Sequence, residues 1–188
     1  MPSVPYCILG IDPGTNVLGY GLLQVAGKNL SLLDMGAVSM QRQASQGEKL
    51  SQIFSRVDQL IQRHNPTALA IEAPFYGKNV QSMLKLGKAQ GVAIAAALKN
   101  GLPFQEYSPR RIKQAVTGNG NAAKEQVAAM LVQVLGRALN PESLDATDAL
   151  ATALCHYYSA RTPEAGRSKQ KYAGWKSFLQ DNPGRIKG

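Results

Sequence analysis

The apolar positions of the chain follow two kinds of pattern that alternate along its length. Short apolar runs bounded by turn-forming residues predict buried β-strands rather than helices. Five such runs occur, at residues 6–12, Leu18–Val25, Leu30–Met40, Thr67–Glu72 and Phe104–Tyr107. The first three follow one another without a gap long enough for a helix, and Ala26–Asn29 is expected to be a hairpin loop. These three strands are therefore predicted to form an antiparallel meander.

Helical periodicity marks most of the remaining chain. Within Ser45–His64 the apolar residues recur at intervals of three and four, which predicts an amphipathic helix. Further helices are predicted over Val80–Lys99, from Pro109 after the cap residue Ser108, over Ala122–Leu135, and from near Pro141, capped by Asn140, through Tyr158. A right-handed crossover would place the fourth strand parallel to the first. The expected fold class is α/β, with a mixed five-stranded sheet of three antiparallel and two parallel strands flanked by helices.

Two of the predicted strands end in a carboxylate. Asp12 closes the first strand at the mouth of the sheet interior, where an unpaired charge is unfavourable. A hydrogen bond within its own turn, a basic side chain or a metal ion would each compensate that charge. Glu72 closes the fourth strand, although an exposed glutamate at a strand end is also common. If the two strands are parallel, both carboxylates emerge at one edge and repel each other, which a bridging cation would relieve.

A second pair of acids lies in the last predicted helix. Asp145 and Asp148 are three residues apart, so both lie on one helix face about one turn from each other. Near a helix N-terminus they could be surface acids favoured by the helix dipole. Their neighbours are mostly alanine and leucine, however, which is typical of a helix packed on a core. Two acids at the start of such a helix can reach the rim of a sheet.

The charge of the chain indicates a polyanionic partner. The formal net charge is +9 and the isoelectric point is about 9.7. Between residues 75 and 124 the single acid is Glu106, whereas the basic residues are Lys78, Lys85, Lys88, Lys99, Arg110, Arg111, Lys113 and Lys124. Such an excess can also be a solvated face. With a second basic cluster after Arg161, it favours nucleic acid over a small acidic ligand.

Two glycines and two histidines have structural as well as functional interpretations. Gly87 and Gly91 leave one side of the predicted Val80–Lys99 helix nearly flat. That side could pack tightly on the sheet or form a subunit interface. His64 and His156 lie near helix ends and are interpreted as structural or surface residues rather than general bases.

Length and cysteine content set the broad class. The 188 residues are expected to form one domain with a tail. Cys7 and Cys155 are interpreted as buried, reduced thiols, which favours a reducing cytoplasm. No apolar run has membrane-spanning length, and residues 1–5 lack the features of a secretory signal.

Four segments together resemble a known family. They are residues 8–14 (ILGIDPG), 70–72 (AIE), 86–93 (LGKAQGVA) and 145–151 (DATDALA). In this order they resemble the motifs of the bacterial RuvC crossover-junction endonucleases, members of the RNase H-like superfamily. The resemblance covers Tyr6–Tyr158. It divides the chain into an RNase H-like nuclease domain at residues 1–158 and a basic tail at residues 159–188, which is expected to be either mobile or docked.

The resemblance implies an enzyme that resolves four-way (Holliday) DNA junctions in recombination and repair, by paired symmetric nicks. It implies that divalent metals bind Asp12, Glu72, Asp145 and Asp148. It also implies that Phe75 works at the junction and that Lys113 and Lys124 approach the scissile phosphates. A ligand set without His or Cys suits two Mg²⁺ ions, with Mn²⁺ as a substitute. The expected partners are junction DNA, a second copy in a homodimer, and the RuvA–RuvB branch-migration complex.

Three other classes share some of these features. An ATPase of the actin and sugar-kinase type has a similar first phosphate loop, but this chain looks too short for its second loop and adenosine-binding subdomain. A non-catalytic junction-binding protein would not need four convergent acids. A nuclease for ribosomal RNA precursors fits the long helix at Val80–Lys99 and the Phe75 loop less well than RuvC does.

Overall fold

A single five-stranded mixed sheet forms the centre of the protein. The computed structural model describes residues 4–14, 16–40, 45–74, 79–139 and 144–161. The strands are β1 (Tyr6–Asp12), β2 (Val17–Ala26), β3 (Asn29–Ser39), β4 (Ala68–Glu72) and β5 (Phe104–Tyr107). Their spatial order is β3-β2-β1-β4-β5, with β1–β2 and β2–β3 antiparallel and β1–β4 and β4–β5 parallel. The predicted meander and the parallel placement of the fourth strand are both confirmed.

Five helices in the described part of the chain cover the two faces of the sheet. They are α1 (Gln46–His64), α2 (Val80–Lys99), α3 (Pro109–Thr117), α4 (Lys124–Leu135) and α5 (Leu144–Arg161). Helices α1 and α2 pack on one face, and α3, α4 and α5 pack on the other. The strand pattern fits both layers, because β1 directs Leu9 and Ile11 to the first face and Ile8 to the second. No described helix is both long and apolar enough to cross a bilayer.

Most element ends coincide with the predicted signals. The side chain of Ser45 accepts from the backbone N–H of Glu48, whose carboxylate accepts from the Ser45 N–H, so α1 begins with a capping box. At its other end Asn65 adopts φ 44° and closes the helix before Pro66. Ser108 likewise caps α3. These local signals explain why the α1 and α3 boundaries could be predicted.

Other boundaries differ from the prediction. Ala26 and Asn29 pair with each other, which leaves Gly27 and Lys28 as a two-residue hairpin turn in place of the longer loop. Helix α4 begins at Lys124, after the buried Ala122.

The last helix also differs from the prediction. Helix α5 continues past Tyr158 to Arg161, whose guanidinium donates to the Tyr157 hydroxyl at 2.9 Å and lies over its ring. Asn140 and Pro141, the predicted start of this helix, lie outside the described residues.

Glycines in β1 and β2 let α5 lie unusually close to the sheet. Gly10, Gly19 and Gly21 all face this helix. A Cβ added to Gly10 would overlap the carbonyl oxygen of Ala149, and one added to Gly19 would overlap that of Asp145. Only residues without a side chain therefore allow this approach. As a result, the first turns of α5 lie directly over the strand ends.

Helix α2 has one buried face and one open face. Ala89, Ala93, Ala96 and Ala97 are fully buried against the core. On the open face, a Cβ built on Gly87 or Gly91 would have no atom within 4 Å among the described residues. The alternative in which these glycines pack on the sheet is therefore wrong. Their flat face is turned to the surroundings.

Candidate active site

Two adjacent parallel strands bring Asp12 and Glu72 to the same edge of the sheet. Ile11 and Ile71 are register partners in the β1–β4 ladder, so the next residue of each strand emerges beside the other. Because side chains alternate along a strand, both carboxylates project to the face covered by α5. The convergence that the two strand ends predicted is confirmed.

Helix α5 adds a third carboxylate to this edge. Asp148 lies one residue before Ala149, whose backbone sits against Gly10. The three acids share a cavity of about 300 Å³ with two lysines and four mainly apolar residues; its lining is Asp12, Glu72, Asp148, Lys113, Lys124, Pro109, Ile112, Val127 and Ala151. Strand ends and α5 therefore supply the acids, whereas α3 and α4 supply the lysines.

Asp145 takes a different place from the other three predicted ligands. It is half-buried in the first turn of α5, with its backbone against Gly19, and it does not line the cavity. Its negative charge nevertheless contributes to the raised pKa of Asp12. Asp145 thus lies within electrostatic range of Asp12 without lining the cavity.

The acids at the strand ends are strongly perturbed. Burial, followed by the charges of Asp148 and Asp145, raises the pKa of Asp12 to about 7. Burial, followed by the charges of Asp12 and Asp148, raises the pKa of Glu72 to about 8. Each shift means that the ionised form lacks sufficient compensation from the protein itself. Such clustered acids are typical of functional sites.

Lys124 provides part of the missing positive charge. Its ammonium group donates to Oδ2 of Asp148 at 2.6 Å, and this hydrogen bond raises the pKa of Lys124. Its charge also lowers the pKa values of Asp12 and Glu72, but not enough to offset burial.

The donor set fits a hard divalent cation in its chemistry. All the donors are carboxylate oxygens, the ligand type that Mg²⁺ and Mn²⁺ prefer, and their charge is only partly balanced. Across the described ranges, however, no three acidic, histidine or cysteine side chains form a ready-made metal-binding group. Asp148 instead pairs with Lys124. Coordination would therefore require the side chains to close around the ion.

The other predicted nucleic-acid contacts are dispersed. Lys85 and Lys88 are exposed on α2, and Arg110 is exposed on α3; none of the three lines the cavity. Arg111 directs its guanidinium to the hydroxyl of Ser159, near the opposite end of α5, at 3.4 Å. Phe75 and Lys78 lie outside the described residues.

Neither histidine lines the acidic cavity. His64 lies 3.6 Å from Asp34 on β3. His156 makes a 2.9 Å hydrogen bond with the Tyr107 hydroxyl, and burial lowers its pKa. Both positions agree with the structural interpretation of these residues.

The cavity walls and the glycine contacts were not predicted. Ile112, Val127 and Ala151 line the cavity, but nothing distinguishes them in sequence from ordinary core residues. The close approach of α5 could have been predicted from the glycines. Gly19 and Gly21 are two residues apart in β2, so both lie on the same face of the sheet. Such a row indicates that another backbone approaches closely.

The fold and the site together define a class. A mixed sheet with acids at the ends of two adjacent parallel strands, completed by a helix packed across them, is the arrangement of an RNase H-like nuclease. The family model of the crossover junction endodeoxyribonuclease RuvC matches residues 8–156. The chain belongs to the RuvC family.

Individual relatives agree with this assignment. The crossover junction endodeoxyribonuclease RuvC of Cytophaga hutchinsonii is 52% identical, over 98% of this chain and 90% of its own length. The structure of Thermus thermophilus RuvC in complex with a Holliday junction substrate has a TM-score of 0.78 and 36% identity, and the match covers 83% of this chain and 95% of that one. The yeast mitochondrial Holliday junction resolvase, at 15% identity and a TM-score of 0.60, shares the fold.

Proposed function

We propose that this protein is a structure-selective endonuclease that resolves four-way DNA junctions by symmetric nicks. The observation that carries the proposal is the convergence of Asp12, Glu72 and Asp148 in one cavity beside Lys113 and Lys124. Acids alone would repel a phosphodiester, and lysines alone would bind it without cutting it. Their combination suits a metal-assisted hydrolysis of DNA, with the lysines placed to hold the phosphate.

The proposed ligands of the metals are Asp12, Glu72 and Asp148, together with Asp145 from the first turn of α5. Two Mg²⁺ ions, or Mn²⁺ in their place, would supply the electrostatic stabilisation of an in-line displacement by water. The role of the protein is to gather the carboxylates and to keep part of the cavity dry. Ile112, Val127 and Ala151 form that drier wall.

The lysines have a separate role. Lys113 is half-buried in the cavity wall, whereas the Lys124 side chain is 57% exposed. We assign Lys113 to a non-bridging phosphate oxygen at the centre. Lys124, which pairs with Asp148 here, would be available to the phosphate if Asp148 served as a metal ligand. The dispersed cations Lys85, Lys88, Arg110 and Arg111, together with Lys78 as predicted from the sequence, would hold the junction arms. Phe75 would work at the crossover.

The proposed enzyme is a homodimer that joins through α2. Paired nicks need two active sites, and a closed two-fold pair is the simplest arrangement that provides them. The open face of α2 supports this interface, because Val80, Leu84 and Leu98 are 62%, 55% and 60% exposed on the side that carries the two open glycines. Because the two glycines lack side chains, a helix of the second subunit could approach α2 closely and pack on these apolar residues.

Family membership also supports a proposal for the cellular context. The protein is expected to act together with a RuvA–RuvB branch-migration complex. Buried, unpaired Cys7 and Cys155 suit a reducing compartment, for which the cytoplasm is proposed. Retention of RuvB on an immobilised preparation of this protein, in the presence of junction DNA and RuvA, would test the first statement.

One experiment tests the proposed activity. The purified protein is incubated in Mg²⁺ with a four-way junction, a linear duplex of the same sequence and an RNA hairpin, with each strand end-labelled in turn. The expected result is paired, symmetric nicking of the junction alone. Equal cutting of the duplex would contradict structure selectivity, and junction binding without nicking would indicate a non-catalytic binding protein. Asp148→Asn serves as the inactive control.

A further inference from the structure

The turn between α3 and α4 connects the two lysines of the cavity. Lys113 lies on α3, and Lys124 is the first residue of α4, so the intervening turn, residues 118–123, sets the position of one lysine relative to the other. The shape of this turn therefore helps to determine how Lys124 reaches Asp148.

The amide of Gln114 spans this turn. Its Nε2 donates to the carbonyl oxygen of Gly118 at 2.6 Å. Its Oε1 accepts from the backbone N–H of Gly120 at 3.0 Å. One side chain on α3 thus satisfies a backbone acceptor and a backbone donor of the turn at the same time. Neither a carboxylate nor a thioether of similar length can do both.

Further contacts seat the turn on α3. A Cβ added to Gly120 would come within 2.8 Å of Cγ of Arg110, so the turn lies directly on this helix. Within the turn, the side chain of Asn119 accepts from the N–H of Asn121 at 3.0 Å. Ala122 is then 1% exposed. The hydroxyl of Thr117, the last residue of α3, also donates to the carbonyl oxygen of Asn119 at 3.0 Å and accepts from its N–H at 3.1 Å. Thr117 thus ties the start of the turn to α3, whereas Gln114 reaches further along it, to Gly120.

We propose that Gln114 is a positioning residue for the nuclease reaction. It fixes the α3–α4 turn and thereby sets where Lys124 stands relative to Asp148 and the bound phosphate. Gln114 does not line the cavity and acts through Lys124. The proposal rests on the proposed function, because it assigns a part in that reaction. A misplacement of about 1 Å at a reacting centre can reduce a rate on the order of 100-fold, so a distant amide can matter.

The first test replaces Gln114 by Met, which keeps the length and removes both hydrogen bonds. We expect junction cleavage to slow by about 10- to 100-fold. The junction Kd and the melting temperature should change little, because the Gln114 side chain is exposed and does not line the cavity. Hydrogen exchange should quicken in residues 118–124 and not in residues 149–155. Gln133→Met, at an exposed position of α4, is the matched control and should cut normally.

A double-mutant cycle with Lys124→Ala separates positioning from a general structural effect. If Gln114 acts through Lys124, the Gln114→Met substitution should have almost no further effect on the residual single-turnover rate of Lys124→Ala. Losses that multiply would overturn the proposal, as would a Gln114→Met enzyme that cuts within about twofold of the wild-type rate. Because both substitutions are compared at one temperature below their melting points, reduced stability does not obscure the result. Failure of the wild-type protein to cut junctions would instead contradict the proposed function.

Discussion

Lys124 on α4 and Asp148 on α5 form an ion pair at 2.6 Å in the lining of the acidic cavity. The pair places one cation among three carboxylates before any metal binds. Because the charges of Lys124 and Lys113 still leave the pKa values of Asp12 and Glu72 raised, the cavity keeps an affinity for further positive charge. The ion pair therefore holds Asp148 in the cavity with the other two acids but balances only part of their negative charge.

Removal of one carboxylate should separate cutting from binding. We expect Asp12→Asn, Glu72→Gln and Asp148→Asn each to reduce nicking by at least about 100-fold, because each removes an interaction on which the chemical step depends. Junction affinity should be retained, since phosphate contacts supply most of it. Single-turnover cleavage and gel-shift titration measure the two quantities. Glu125→Gln, exposed on α4, should behave as wild type. An Asp12→Asn enzyme with near-normal Mg²⁺-dependent cleavage would show that the acids have been misassigned.

The stability of the metal-free protein should fall as the pH rises. The pKa values of Asp12 and Glu72 are raised from the ordinary values of 3.8 and 4.5 to about 7 and about 8, so the folded state holds protons that the unfolded chain releases. Their stabilising contribution is therefore complete below about pH 4 and is lost as the pH passes through 7 to 8.

Thermal melting in EDTA between pH 5 and pH 8.5 would measure this trend. At pH 8 the Asp12→Asn protein should be more stable than wild type by roughly 1–3 kcal/mol, and its melting temperature should depend less on pH. Added Mg²⁺ should restore the wild-type melting temperature at high pH. A melting temperature that increases steadily over this range would contradict the burial of the two acids.

Gly10 should tolerate no side chain. Gly10→Ala would force the new methyl group against the Ala149 carbonyl and push α5 away from β1, at a cost of about 1–3 kcal/mol or more. Cleavage should decline further than stability, because Asp148 moves with α5. Urea unfolding and cleavage assays below the transition test this. Gly47→Ala in α1, where the nearest atom to the new Cβ is 3.9 Å away, is the control and should be neutral or stabilising.

Bulky residues on the two faces of α2 should have opposite effects. Gly87→Leu adds a side chain to the open face and should weaken the proposed dimer without lowering the helix content. Ala89→Leu adds one to the fully buried face and should destabilise the fold by about 1–3 kcal/mol. Sedimentation and circular dichroism distinguish these outcomes. Wild-type protein that binds junctions as a monomer at micromolar concentration would count against the dimer.

Phe75 stays a prediction from the sequence alone. If its ring stacks on an unpaired base at the crossover, an interaction of about 1–3 kcal/mol, Phe75→Ala should slow cleavage while the fold and the salt dependence of binding persist. A junction with unpaired bases at its centre should recover part of the rate. A sharply lower melting temperature for Phe75→Ala, or no recovery on the opened junction, would instead make Phe75 a core residue.

The sequence predicted the strand ends of the site better than its walls. Asp12 and Glu72 could be placed together for two reasons. A right-handed crossover makes their strands parallel, so both strands end at the same edge of the sheet. Side chains alternate along a strand, so the face to which each carboxylate points can be read from the sequence. The distance of Asp145 from the cavity could not be predicted. It depends on how α5 rotates about its own axis on the sheet, which the contacts at Gly10 and Gly19 determine.

Which basic residues line the cavity also depends on helix packing that the sequence does not reveal. Lys113 and Lys124 were expected near the phosphates from the family resemblance, and the structure places both on the cavity. Arg110 and Arg111 share the helix and the charge of Lys113, yet they point elsewhere. Only the packing of α3 against α5 separates these neighbours, and that packing has no simple signature in sequence.

The close seating of α5 on glycines of β1 and β2 also bears on how the protein acquires its activity during synthesis. Asp12 and Glu72 leave the ribosome long before α5 does, and α5 is the element that brings Asp148 to them. A nascent chain that has formed the sheet but not yet docked α5 thus carries an incomplete acidic site. Docking of this helix is a contact between the two ends of the domain in sequence, which is among the slower events of folding. The chain should therefore become able to cut DNA only after α5 has docked on the sheet.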